Sequence, residues 1–318
     1  MTVTATHRID LAMWPADYGS PVSDDGPATT TVPVDYDPEV TQAAWAPVTP
    51  AADAAVDRPV WFVDGVRRME ARAWITTDDG ATASGLVGSW AAGAIRCDGS
   101  AVITDCRVER GLFSAVARRP TLTTDDGLVF AGCEAEAGTD AALRNALQAR
   151  MRGLELDVAR DVAASGELIV LDGPLRRRVR GHAVGYVKTQ HVDYLAAALR
   201  PVVADLAVAE RTPLFVLATD TYRHWSWYLR LATVGRHPWE SIVRCEIPAD
   251  GIALPEARAL ADTVTGLLPR FASSPHRDVR APQNLYPIGA LEQHLRHRLG
   301  DAAVIGRRLR RAVHRVPT

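Results

Sequence analysis

The sequence predicts an α/β fold, a mixed sheet flanked by helices, with an irregular acidic arm before it and a basic helix after it. Short apolar or alternating runs come first, and helical and strand patterns take turns after residue 140. The composition is that of an ordinary globular chain: 318 residues, 47% hydrophobic and 23% charged, with formal net charge −2. That balance excludes a surface coated in positive potential, while a local basic channel stays open to it.

Residues 9–57 hold nine carboxylates, seven prolines and no Lys or Arg, which predicts an irregular arm over 1–57, draped over the core or reaching to a partner. The folded body is expected over 58–301. Val60–Val63 reads as a buried strand ending at Asp64-Gly65, with Met69–Thr76, Gly85–Cys97 and Ala101–Glu109 as further strands. Leu143, Leu147, Met151, Leu154 and Val158 recur every three or four residues and predict a helix over Asp140–Ala164. A strand Glu167–Leu171 then ends at Asp172-Gly173, and a short strand Ala183–Thr189 follows a basic stretch. The patterns continue as a helix Val192–Val208 and strands Thr212–Ala218, Tyr222–Leu231 and Ser241–Glu246. Helices Pro255–Leu268 and Ile288–Leu299 lead to a basic helix within 302–318, striped by Ile305, Leu309 and Val313. Antiparallel strands followed by helix-linked parallel ones suit an RNase H-like core.

The four cysteines form no CxxC pair, so neither a zinc site nor a disulfide framework is expected, and a reducing cytoplasm is the natural compartment. No apolar run reaches membrane-spanning length.

Asp-Gly, a favoured turn pair, occurs seven times. Asp64 and Asp172 differ from the rest, because each follows an unbroken apolar run. Carboxylates at adjacent strand tips repel unless a cation lies between them; the plainer alternative is two strand-ending turns. Glu155, late in the long helix, is placed to return toward those tips. Lys188 is the sole lysine among 36 basic residues, at a strand end where a compact ammonium serves better than a guanidinium fork. Tyr286-Pro287 precedes the Ile288–Leu299 helix, and His294 on that helix is either a metal ligand or phosphate contact or a plain polar residue. Arg176, Arg177, Arg178 and Arg180 offer phosphate contacts, or else a solvated basic hairpin. Trp225, Trp227 and Tyr228 either stack on unpaired bases or fill the core.

These motifs, in this order, resemble the NurA nucleases. The set comprises the strand ending in Asp64-Gly65, Arg-Gly-Leu-Glu at 152–155, Leu-Ile-Val-Leu-Asp-Gly-Pro-Leu at 168–175, Val-Gly-Tyr-Val-Lys-Thr at 184–189, and Tyr286-Pro287 followed by His294. The resemblance implies an RNase H-like enzyme that cuts DNA with Mn2+ or Mg2+, as exonuclease and single-strand endonuclease. It implies Asp64, Glu155, Asp172 and His294 as metal ligands, with Lys188 and Tyr286 beside them. It also implies a homodimer working with a hexameric HerA-type ATPase at DNA ends. Gly-Pro after Asp172, Gly289-Ala290 and Gln293 depart from the family pattern. Two rival readings are a catalytically silent adaptor on the same scaffold, distinguished by carboxylates more than about 6 Å apart, and a sugar hydrolase using paired acids, which no further motif supports.

Overall fold

The computed structural model describes residues 8–12, 28–29, 32–51, 58–175, 179, 182–188, 192–218, 223–233, 239, 241–274, 276–278 and 280–314. The chain opens with β1 (Arg8–Ala12), β2 (Ala28–Thr29) and β3 (Val34–Asp35), then three long strands, β4 (Val60–Thr76), β5 (Thr82–Asp98) and β6 (Ser100–Ser114). Next come β7 (Leu122–Thr123), β8 (Val129–Glu134), helix α1 (Asp140–Val162), β9 (Leu168–Asp172), β10 (Ala183–Val187) and β11 (Val192–Asp193). The remainder is α2 (Arg200–Asp205), β12 (Phe215–Ala218), β13 (Arg223–Arg230), β14 (Ile242–Pro248), α3 (Leu254–Leu267), α4 (Tyr286–Arg298) and α5 (Ala302–His314).

One large mixed sheet runs in the order β3-β12-β13-β14-β10-β9-β4-β5-β6-β8-β7, and β1 also pairs with β4. β4, β5 and β6 are antiparallel, whereas β9 lies parallel to β4 and β10 parallel to β9. Strand alternation sends one set of side chains to each face. Phe62, Val66, Val170 and Val184 meet α3 and α4 on one face, and Val63, Trp90 and Ile169 meet the Leu143–Val158 stripe of α1 on the other. This confirms the expected α/β class with a mixed sheet flanked by helices.

Three expectations change. Residues 60–76 form one strand, because the long β5 ladder, which puts Asp64 opposite Gly93 and is interrupted only by a register shift between Met69 and Ala71, outweighs the local turn preference of Asp-Gly. The helix expected over Val192–Val208 shrinks to a 3-10 turn at Ala197–Leu199 running into α2, where Pro201 sits in the first turn that tolerates it, while Val192–Asp193 is a strand. Residues 32–51 of the acidic arm carry structure: β3 joins the sheet beside β12, and Trp45 is buried near Phe215.

The apolar stripe of α5 is also spoken for, since Ile305 and Leu309 are buried against Ala73, Ile75 and Phe130 of this same chain. No described helix is long and apolar enough to cross a membrane.

Candidate metal centre

The site forms where the sheet changes partners. β9 pairs with β4 only over Val60–Val63, and β1 takes the same edge only from Arg72. Asp64 is the first residue past the end of that β9 ladder, and Asp172 is the last residue of β9. By alternation, Asp64 shares a face with Phe62, and Asp172 shares it with Val170, so both aspartates point to the α4 side. The ladder partner of Asp64 is Gly93. A Cβ at Gly93 would stand 3.2 Å from Leu291 Cδ1 and 3.1 Å from Leu295 Cδ2, so the bare backbone lets α4 lie close over the strands. The next residue of α4 after Leu291 is Glu292. Ligand oxygens of Asp64, Asp172 and Glu292 all fall within 4.8 Å of one another, the one such group of metal-ligating side chains among the described residues.

Three carboxylates this close repel, and burial denies them water. Asp64 is 5% exposed. Its Oδ1 accepts the Gly65 N–H at 2.7 Å, while Oδ2 is buried with no hydrogen-bond partner. Burial first, then the charges of Asp172 and Glu155, hold its carboxyl well above the ordinary aspartate range. Burial also raises Asp172, against the pull of Lys188, whose Nζ stands 2.6 Å from Asp172 Oδ2. Lys188 is thus the cation in contact with Asp172, and its second partner is Asn284 Oδ1 at 2.7 Å.

Glu155 comes from the other face. It rises from α1 against Gly65, where a Cβ would lie 2.5 Å from Glu155 Oε1. Gly65 therefore serves space rather than a turn. It is absent from the positive-φ glycines, which include Gly80, Gly99, Gly127, Gly173 and Gly251 of the other described Asp-Gly pairs. Burial and the charge of Asp172 push Glu155 up to about 8. Glu155 and Asp172 also line a cleft of about 550 Å3 with Arg150, Arg152, Leu171 and Leu175.

The structure thus brings together Asp64, Asp172, Glu155 and Lys188 of the residues expected from sequence, and adds Glu292. His294 is not in that carboxylate group. It lies two residues past Glu292, about 200° around the helix, so it cannot share the Glu292 face. The signal for Glu292 was in the sequence: Ile288, Leu291, Glu292 and Leu295 follow helical-face spacing, and His294 falls outside it. Tyr286 opens α4 40% exposed, sharing a 2.5 Å hydrogen bond with Ser274 Oγ. Trp227 and Tyr228 are buried in the core and Trp225 bonds to Ile252 O, so the base-stacking expectation gives way to packing. Arg176, Arg177, Arg178 and Arg180 lie outside the described residues.

A divalent cation fits what the residues present, because Asp64 Oδ2 is a buried acceptor with no donor inside an excess of negative charge. No family model matches the chain, and no curated protein matches it.

Proposed function

We propose that this chain is a divalent-metal-dependent deoxyribonuclease of the NurA kind, with Asp64, Asp172 and Glu292 holding Mn2+ or Mg2+ and Glu155 beside them. The unpartnered Asp64 Oδ2 carries the reading. Leaving a buried polar acceptor bare costs roughly 1–3 kcal/mol, more for a charge, and a protein retains such a defect where function needs it. An all-oxygen ligand set suits a hard cation such as Mg2+ or Mn2+ over a thiophilic one. Bound there, the cation would polarise a phosphodiester and lower the pKa of its water.

The remaining roles belong to the chain's own residues. Lys188 offsets the negative charge at Asp172 and presents an ammonium where a phosphate would approach. Glu155, half-protonated near pH 8, is suited to take a proton from water at the cleft. Leu175 lines that cleft, and the Arg176–Arg180 stretch follows it directly, which supports phosphate contact by those arginines. Three antiparallel strands, then α1, then two parallel strands support an RNase H-like assignment. The NurA resemblance adds self-association, a hexameric HerA-type ATPase partner and a cytoplasmic place in processing DNA ends. Because the α5 stripe is buried at home, self-association would use another surface.

The test is cleavage of labelled single- and double-stranded DNA with Mn2+, with Mg2+ and with EDTA. Metal-dependent cutting is expected, with none in EDTA. DNA binding without cutting under any metal would return the chain to the adaptor reading; of the three carboxylates first expected, the 4.8 Å group holds Asp64 and Asp172.

A further inference from the structure

Asp64 and Asp172 ride on strands, but Glu292 reaches the cluster from a helix through one more rotatable bond. Something must hold it. Arg280 grips Glu292 with both terminal nitrogens, Nη1 to Oε1 at 3.0 Å and Nη2 to Oε2 at 2.8 Å. Asp278 turns back on the same segment, its Oδ1 accepting the Arg280 N–H at 2.8 Å and its Oδ2 accepting from Asn284 Nδ2 at 2.5 Å. Asn284, fully buried, passes the chain on by accepting from Lys188, which touches Asp172. Tyr186 of β10 ties the segment down by donating to Gln283 O at 2.7 Å. Gly289 leaves the room this needs, since a Cβ there would stand 3.2 Å from Asn284 Nδ2.

We propose that Arg280 is a positioning residue for the metal centre: its two-pronged grip on Glu292, linked through Asp278 and Asn284 to Lys188, sets the α4 ligand and the β10 cation from one segment. The proposal rests on the metal reading above. Arg280 itself is about half exposed, so its effect lies in geometry rather than in a desolvated charge. Groups that orient metal ligands typically change affinity by about 10–100-fold when removed.

The measurement is Mn2+ binding to the full chain, followed by the electron paramagnetic resonance of free and bound ion, with circular dichroism as the check on folding. Glu292→Gln should weaken binding. Arg280→Met should weaken it by about tenfold or more and broaden the bound-ion spectrum as Glu292 loses its fixed orientation. Arg280→Lys, with charge but no fork, should recover only part. Arg280→Met placed on Glu292→Gln should add little, because Arg280 acts through that carboxylate. Wild-type affinity and spectrum in folded Arg280→Met would overturn the proposal, as would a second full loss on the Glu292→Gln background. Should Arg280→Met not fold, Arg280→Lys and Asp278→Asn decide by the same criteria: unchanged affinity and spectrum in both sinks the idea. Failure of the metal reading looks different, with no Mn2+ bound by the wild type at all.

Discussion

Glu39 and Asp64 both carry sheltered carboxylates, the Glu39 side chain 3% exposed on a half-buried residue and Asp64 5% exposed as a whole, yet they live in opposite electrostatic worlds. Glu39 receives Arg211 Nη1 and Nη2 at 2.9 Å each, the Leu214 N–H at 2.6 Å, and Arg258 Nε at 3.0 Å. Burial alone would raise its carboxyl, but Arg211 and the other donors reverse that and hold it below the ordinary glutamate range. Asp64 has one amide donor, three carboxylate neighbours and a bare oxygen. The first is an ion pair that fastens the arm to the body. The second is a charge deficit that the fold alone leaves unresolved. Burial of a carboxylate therefore says little about its role, and the account of its partners says a great deal.

The comparison breaks most sharply by mutation of each site. Asp64→Asn and Asp172→Asn should each cut metal-dependent cleavage by about 1000-fold or more, roughly 4 kcal/mol of lost transition-state stabilisation. The metal-free Asp64→Asn protein should melt no lower than wild type, because the swap relieves repulsion without breaking an ion pair. Cutting at the wild-type rate by Asp172→Asn would end the nuclease reading. Arg211→Met should do the reverse. It strands Glu39 in the interior and should cost about 3–5 kcal/mol, a fall in melting temperature on the order of 10 °C, with Mn2+ affinity unchanged in whatever protein remains folded. An Arg211→Met protein as stable as wild type would show that the Glu39 contacts are incidental.

The same contrast explains what was legible in the sequence. Asp64 and Asp172 stood out because a charge after a buried strand is a local signal, readable over five residues. The strand to which Asp64 belongs was misjudged, since the ladder with β5 is a non-local contact that overrides an Asp-Gly turn. Glu292 was not legible for a related reason: its place in the group depends on α4 lying over the strands, though the helical face of Ile288, Leu291 and Leu295 carried the local signal. The Glu39–Arg211 pair joins residues 172 positions apart, and no local pattern announces it.

A smaller effect should appear in the pH dependence of stability. Glu155 stands raised to about 8, so the fold favours its neutral form. Its contribution is complete below the ordinary carboxyl range and is lost as pH rises through about 8. Metal-free wild type should therefore lose a few degrees of melting temperature relative to Glu155→Gln between pH 6 and pH 9, on the order of 2–3 kcal/mol. Saturating Mn2+ should restore the wild type by binding the ionised form. Parallel melting curves for the two proteins across that range would place Glu155 outside the coupled group.

The smallest predicted effect makes the metal site more like the Glu39 site. Lys188 offers Asp172 a single contact from a compact ammonium and donates to Asn284 Oδ1. A guanidinium at this position can engage both oxygens of a carboxylate, as Arg211 engages Glu39. Lys188→Arg keeps the charge but lets it close on Asp172 as a fork, in direct competition with a cation for the same oxygens. The metal-free variant should then melt about 1–2 °C higher, while Mn2+ affinity falls by roughly threefold to tenfold and cleavage falls with it. The opposed signs are the diagnostic, because a substitution that merely fits poorly would lower both stability and affinity. Calorimetric melting and Mn2+ titration on the same preparation measure the two together. Unchanged affinity with full cleavage would show that Lys188 is a charge and nothing more, and that the form of the cation beside Asp172 does not separate a metal site from an ion pair.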